Sequence, residues 1–269
     1  MLNENYILSD GAKIPKIALG TWQISNEAVV NAVQAAIKIG YRHIDTAVGY
    51  QNERGVAQGI KESGIQREQL FITTKIPAEV KNYEEAKAVI TKSLSDLNSA
   101  YIDLMLIHAP KPWSEMFQGL PNEYFKENLA VWKAMEEAHQ EGKLKSIGVS
   151  NFSIKDLNNI FENCKIKPVV NQINCHIGHT QEDILSYCNK NHILVMGYSP
   201  IATGNLLNDA RLKEFAAKYG VSVPQICIKY LLQRNILPIP KSTHEEYIRQ
   251  NADMGFEISN ADMETLTRF

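Results

Sequence analysis

The chain has 269 residues, a formal net charge of -2 and 44% hydrophobic residues. That is the composition of an ordinary soluble protein with a large core, and its near-neutral balance gives no electrostatic reason to expect nucleic acid. No apolar run reaches the roughly 18 residues of a membrane span, and the opening MLNENYILSDG lacks the basic-then-apolar layout of a signal peptide, so a cytoplasmic location is expected.

Tyr6 to Ile14 reads as a short hairpin turning at Asp10-Gly11. Ile17-Ala18-Leu19-Gly20 is a short apolar strand, and Asn26 to Ile39 a helix with Val29, Val33, Ala36 and Ile37 on one stripe. The stretch GYRHIDTAVGYQNE, Gly40 to Glu53, runs from a strand ending at Asp45 through a loop holding Tyr50 into a helix from about Glu53 to Ser63. Further strands are expected at Leu70–Lys75, Ile102–Ile107, Ser146–Val149, Val169–Ile173, Ile193–Tyr198 and Ile236–Ile239. Helices are expected at Tyr83–Leu97, Leu129–Glu141, Ile154–Asn163, Glu182–Asn191, Asp209–Tyr219 and His244–Met254. An extra helix is read at Ile226–Gln233, a short last one from Ser259, and an irregular segment at Lys111–Lys126.

Most of the strands are short, continuous apolar runs, as parallel strands covered on both sides require. Strict alternation of strand and helix eight times over predicts a closed (β/α)8 TIM barrel with an N-terminal β-hairpin and extra helices near the C-terminus. Residues 1-269 are read as one such domain, with no linker or low-complexity segment. An open doubly wound sheet is the alternative, but its usual glycine-rich fingerprint is missing from the first turn, Gly20-Thr21-Trp22-Gln23.

In such a barrel the active site lies where the strands end. That face would hold Trp22, Asp45, Tyr50, Lys75, His108, Ser150, Asn151, Gln172, Tyr198, Ser199, Lys241 and Ser242. An ammonium at Lys75 is costly there without a partner, and Asp45 on the neighbouring strand is the obvious one. A plain buried ion pair would explain those two alone. Tyr50 adds a phenol beside the ammonium, which favours the ionised phenol and is expected to lower its pKa, suiting a general acid-base group. His108 closes the next strand, placed to donate a hydrogen bond into the same site.

No serine or cysteine stands beside a base there as a nucleophile, and no glycosidase-like carboxylate pair appears. A phenol and an imidazole suit protonation of a carbonyl oxygen, which needs a hydride cofactor as electron source. Ile239-Pro240-Lys241-Ser242-Thr243 leads from the last strand into a helix, with Thr243-His244-Glu245-Glu246 as a capping-box pattern. Phosphate sites in barrels commonly lie at such a helix N-terminus. Tyr198 offers a flat ring for a nicotinamide to stack on. The cysteines Cys164, Cys175, Cys188 and Cys227 form no CxxC pair and read as reduced thiols. His176 and His179 form an HxxH pair without a third ligand nearby, so no metal site is assigned.

With these residues in place the chain resembles the aldo-keto reductase family along essentially its whole length, in particular its short, prokaryotic-type members of the diketo-gluconate reductase kind. The resemblance is carried by Gly40 to Ala47 with Tyr50, Asn52 and Glu53, then Lys75, His108, Gly148 to Phe152, Asn171-Gln172, Tyr198-Ser199-Pro200 and Ile239-Pro240-Lys241-Ser242, in the family's order. It implies reversible carbonyl reduction by NADPH with a catalytic tetrad. Tyr50 would donate the proton, Lys75 would lower its pKa, Asp45 would hold Lys75, and His108 would orient the carbonyl. It also implies cofactor contacts from Thr21, Ser150, Asn151, Gln172, Tyr198, Ser199, Lys241, Ser242, Thr243 and Asn251, with Ser150, Asn151 and Gln172 gripping the carboxamide.

Three departures matter. Ala109-Pro110 stands where the family often has Trp-Pro, with Trp113 as a possible replacement. The chain stops soon after the last barrel helix, which suggests an open pocket walled by Trp22, Val48, Trp113 and Phe117. Tyr247 occupies the position of the arginine that commonly meets the 2′-phosphate of NADP, so NADH use is expected beside NADPH. The partner is then a small carbonyl compound, and nothing demands more than a monomer. Alternatives are a cofactor-binding, redox-sensing or regulatory barrel with little turnover, and alcohol oxidation as the working direction.

Overall fold

The computed structural model describes residues 1–269. A two-stranded antiparallel hairpin comes first, β1 (Asn5–Ile7) and β2 (Lys13–Pro15), with Tyr6 opposite Ile14. Its turn is held by Asp10, whose Oδ1 accepts from the Ala12 N–H at 2.9 Å. Its Oδ2 accepts from Ser146 at 2.6 Å, which seats the hairpin against the barrel.

Eight parallel strands follow in chain order: β3 (Leu19–Gly20), β4 (His43–Asp45), β5 (Phe71–Ile76), β6 (Ile102–Ile107), β7 (Leu144–Ser150), β8 (Val170–Asn174), β9 (Leu194–Tyr198) and β10 (Leu237–Ile239). Each pairs with the next. The ring closes where Ala18 donates to the Pro238 carbonyl at 3.3 Å and Gly20 to that of Pro240 at 2.9 Å. Helices α1 (Asn26–Ile39), α2 (Glu53–Ser63), α3 (Tyr83–Asp96), α4 (Trp113–Gln118), α5 (Phe125–Gln140), α6 (Ile154–Asn163), α7 (Glu182–Lys190), α8 (Ala210–Tyr219), α9 (Val223–Gln233), α10 (Glu245–Ala252) and α11 (Asn260–Thr267) surround it.

The period-2 geometry of the strands sorts side chains into two cores. On β6, Leu104 and Leu106 join an inner cluster with Leu8, Ile14, Phe71, Val170, Met196 and Leu237, while Met105 and Ile107 pack outward among the helices. The hairpin's Leu8 and Ile14 thus stopper the N-terminal mouth, leaving the C-terminal mouth as the open end. Helix α2 lies so close on α1 that a Cβ at Gly55 would fall 2.0 Å from the Asn26 carbonyl oxygen. This fixes where the loop carrying Tyr50 ends.

The (β/α)8 barrel with its hairpin agrees with the sequence reading. The Lys111–Lys126 segment does not: it contains α4, and α5 begins at Phe125 rather than Leu129. The capping-box expectation at Thr243 also fails. His244 is the N-cap of α10, without a side-chain cap bond, and Ser242 Oγ takes the His244 N–H at 3.1 Å instead. No helix is long and apolar enough to cross a membrane.

Candidate active site

Asp45 ends β4 and Lys75 lies near the end of β5, on adjacent parallel strands, so both reach the same end of the barrel. Lys75 Nζ lies 2.6 Å from Asp45 Oδ1 and donates to the Thr46 carbonyl at 2.8 Å. Its third reach is toward the Tyr50 hydroxyl, at 3.5 Å. The other Asp45 oxygen, Oδ2, accepts from Gln172 Nε2 at 2.7 Å. Tyr50 is carried by a single 3₁₀ turn, Val48–Tyr50. Asn52 organises that loop: its Oδ1 accepts from Thr46, and its Nδ2 donates to the carbonyls of Thr21 and Ile24.

His108 follows β6, its ring edge-on to Tyr50 with centroids 5.6 Å apart and edge-on to Trp113 at 5.1 Å. Trp113 stacks in turn on Phe117. Trp113 therefore takes up the space beside the imidazole although Ala109 replaces the adjacent indole. Phe117 is 83% exposed and Trp22 47%, and Val48 is part-buried in the 3₁₀ turn.

Electrostatics set the protonation states. Burial pushes the His108 imidazole down to about 3, helped by the Lys75 charge. The imidazole is thus neutral, with one N–H to donate. Burial also lowers Lys75, with Asp45 opposing it. Tyr50 corrects an expectation: burial, and next the Asp45 charge, hold its phenol well above the ordinary value. The ammonium does not outweigh them, because it stands at the limit of hydrogen-bond distance and its charge is largely answered by Asp45. Tyr50 is consequently a phenol carrying its proton across the working range.

A second group of residues gathers beside this one. Asn151 follows β7 with φ 60°, a left-handed conformation that asparagine tolerates. It turns the side chain back so that Nδ2 donates to the His108 carbonyl and to Ser150 Oγ, each at 3.0 Å. Tyr198 donates from its hydroxyl to Asn151 Oδ1 at 2.8 Å. Ser150 Oγ donates to the Gln172 carbonyl at 2.8 Å. Ser199 has φ 53° directly after β9. Burial, with Tyr50 second, pushes Tyr198 up to about 12.

Lys241 is exposed, and its backbone bridges to Gly20. Ser242 is buried and Thr243 exposed just before α10, and Asn251 is buried near the C-terminal end of that helix. With no side-chain cap, the first-turn N–H groups of α10 remain available to an anion. Tyr247 is exposed, edge-on to His244. Arg249 pairs with Glu245 at 2.9 Å. Thr21 is fully buried, and its hydroxyl donates to the Asp45 carbonyl at 3.0 Å. It therefore supports the strand end from below.

Glu53 opens α2 as expected, but its carboxylate is buried and accepts from Thr74 at 2.7 Å and from Ser93. Burial raises its pKa. Sequence reasoning missed Thr46 and the structural use of Asn52; only the Asn-Glu of the motif hinted at the latter. His176 and His179 face each other across a tight turn, and no group of three or more His, Cys, Asp or Glu could hold a metal ion. A cleft of about 680 Å³ lies on the opposite face, between Met1–Glu4 and Ala252–Gly255, and contains no tetrad residue.

Comparison with known proteins agrees with this geometry. A family model described as the Aldo/keto reductase family matches residues 16–269. The chain is 39% identical over 267 residues to the glyoxal reductase of Bacillus subtilis, covering 98% of this chain and 92% of that protein. It is 36% identical over 249 residues to the methylglyoxal reductase DkgA of Escherichia coli, covering 92% and 86%. Among solved structures, a Bombyx mori aldo-keto reductase in complex with NADP superimposes with a TM-score of 0.88 at 36% identity, covering 98% of this chain and 92% of that one. With the barrel, the strand-end residues and these matches together, the chain belongs to the aldo/keto reductase family.

Proposed function

We propose that the protein reduces small aldehydes, ketones and α-dicarbonyls to alcohols with NADPH, Tyr50 donating the proton. The observation that carries this reading is the buried Lys75–Asp45 pair at 2.6 Å, with the Tyr50 hydroxyl 3.5 Å from the same ammonium and His108 alongside. The residues present fit a nicotinamide cofactor. Ser150, Asn151 and Gln172 cluster at adjacent strand ends beside the Tyr198 ring, and α10 offers uncapped N–H groups next to Lys241. The relatives, a glyoxal reductase, a methylglyoxal reductase and an aldo-keto reductase in complex with NADP, support the substrate class and the cofactor.

Ser150, Asn151 and Gln172 would hold the carboxamide, Tyr198 the ring face, and Lys241, Ser242, Thr243 and the start of α10 the phosphates. Bound so, the reduced cofactor supplies the hydride to the carbonyl carbon. The neutral His108 donates a hydrogen bond to the carbonyl oxygen and aims it at Tyr50. As negative charge grows on that oxygen, Tyr50 passes its proton to it, and the alcohol forms. The phenolate left behind lies against the Lys75 ammonium, which Asp45 keeps charged and in place. Burial that holds Tyr50 protonated beforehand thus loads the donor, and the ammonium acts where charge develops. Trp22, Val48, Trp113 and Phe117 wall the substrate side.

The test is cofactor oxidation with glyoxal, methylglyoxal and a nitrobenzaldehyde. Turnover is expected, with catalytic efficiency favouring NADPH over NADH even though Tyr247 stands in the arginine position. Tyr50→Phe is expected to cut the rate by about 10²–10⁴ and leave cofactor affinity nearly unchanged. Silence across a broad carbonyl panel would sink the reading; a Tyr50→Phe variant that kept its rate would pass the proton's source to His108.

A further inference from the structure

The hydrogen bond from Gln172 to Asp45 does not belong to a carboxamide grip. Strands β8 and β4 are not neighbours, since β7, β6 and β5 lie between them in the ring. The 2.7 Å bond from Gln172 Nε2 to Asp45 Oδ2 therefore spans the barrel lumen. Both residues are buried. A carboxylate only accepts, so the amide nitrogen must face Asp45. The two carboxylate oxygens are divided between two donors, Oδ1 to Lys75 and Oδ2 to Gln172. The Gln172 main chain is tied as well, its carbonyl accepting from Ser150 Oγ at 2.8 Å and from the Asn151 N–H at 2.9 Å.

We infer that Gln172 is a positioning residue of the tetrad, fixing Asp45 so that Oδ1 stays aimed at Lys75, in addition to any hold on a cofactor. The inference rests on the reductase reading for its kinetic consequence, but not for the bond itself. Without the Gln172 donor, Oδ2 would be a buried acceptor with no partner, and Asp45 would be free to turn. Lys75 is steered only by Asp45 and the Thr46 carbonyl, so its ammonium would drift from Tyr50. The same amide couples two events. A donor arriving at Gln172 Oε1 polarises the amide and strengthens its Nε2 bond to Asp45. By reciprocity, the charge on Asp45 strengthens the hold on that donor.

Gln172→Met removes the donor at similar length, and Gln172→Asn keeps an amide too short to reach. Both are expected to slow hydride transfer at saturating NADPH by about 10–100-fold, the worth of a hydrogen bond to a charged group. NADPH affinity, read by tryptophan fluorescence quenching, gives the split between binding and chemistry. If affinity alone falls and the saturated rate is kept, Gln172 is only a grip and the inference fails. Thermal unfolding of Gln172→Asn, Asp45→Asn and the double variant tests the bond without turnover. Non-additive losses are expected, and strictly additive ones would overturn the inference. A wild-type protein that reduced nothing would sink the reductase reading alone, since the unfolding cycle still reports on the bond.

Discussion

An ion pair sits at each end of strand β5, Arg67–Asp103 just before it and Lys75–Asp45 near its end, and the two are built differently. Near the strand's N-terminus, Arg67 Nη2 meets Asp103 Oδ2 at 2.6 Å. Every other reach of that guanidinium is also used, on Ser99 Oγ and the carbonyls of Leu70 and Tyr101, and its plane lies over the Tyr101 ring. Asp103 takes the Ile72 N–H too. At the other end, Lys75 gives two good bonds and leaves its third direction toward Tyr50 at 3.5 Å. The Lys75 pair is also the drier, with side chains 0% and 4% exposed against 18% and 15%. The Arg67 staple makes four bonds, all within the resting fold. In the proposed reaction, the Lys75 pair keeps one donor direction for charge that appears on Tyr50 only during turnover.

The contrast breaks most sharply with Lys75→Met. Asp45 would be left without its cation in a buried site, a loss of about 3–5 kcal/mol, and the rate should fall by about 10²–10⁴ with the proton donor's charge partner gone. A variant with near-normal kcat would show that Tyr50 works without the ammonium. Arg67→Met should do the opposite: stability falls by about 1–3 kcal/mol, measured by urea unfolding, while kcat stays within about twofold of wild type. A tenfold drop in kcat there would mean that the two ends of β5 are not separable.

A third test is a pH slope. Burial pushes His43 and His108 down to about 3 from an ordinary 6.5. Between those values the unfolded chain binds protons that the folded chain refuses. Stability is therefore complete above about pH 6.5 and declines as pH falls toward 3, by about 1.4 kcal/mol per group for each pH unit well below 6.5. Urea midpoints at pH 7, 6 and 5 measure this, and His43→Gln should lessen the slope. Equal midpoints at all three would show that these imidazoles are not held neutral. The same logic predicts that turnover has no inflection near 6.5 from His108.

Much of the fold was legible because parallel strands write themselves as apolar runs. LFITTK and IDLMLI read as strands before any contact was known, and β5 and β6 lie there. The gathering of Asp45, Tyr50, Lys75 and His108 was legible because strand ends converge on one face. The segment after Pro110 was not, since α4 has only six residues and no side-chain cap. It is held by the bond of Lys111 to the Leu120 carbonyl at 2.5 Å, by Glu115 on Tyr124, and by Trp113 on His108. The cap at Thr243 was misread because a pattern of residue types does not fix the backbone dihedrals that place a cap.

The sequence by itself determined the order of strands and helices, the barrel they close, and the residues that end each strand. Those follow from local periodicity and from the one-sided geometry of β-α units. Only the tertiary structure decided how charge is shared among them. Burial, not the neighbouring ammonium, governs the Tyr50 proton. An amide from the far side of the barrel fills the second oxygen of Asp45. Both depend on distances across the lumen and on exclusion of water, which no stretch of sequence specifies alone.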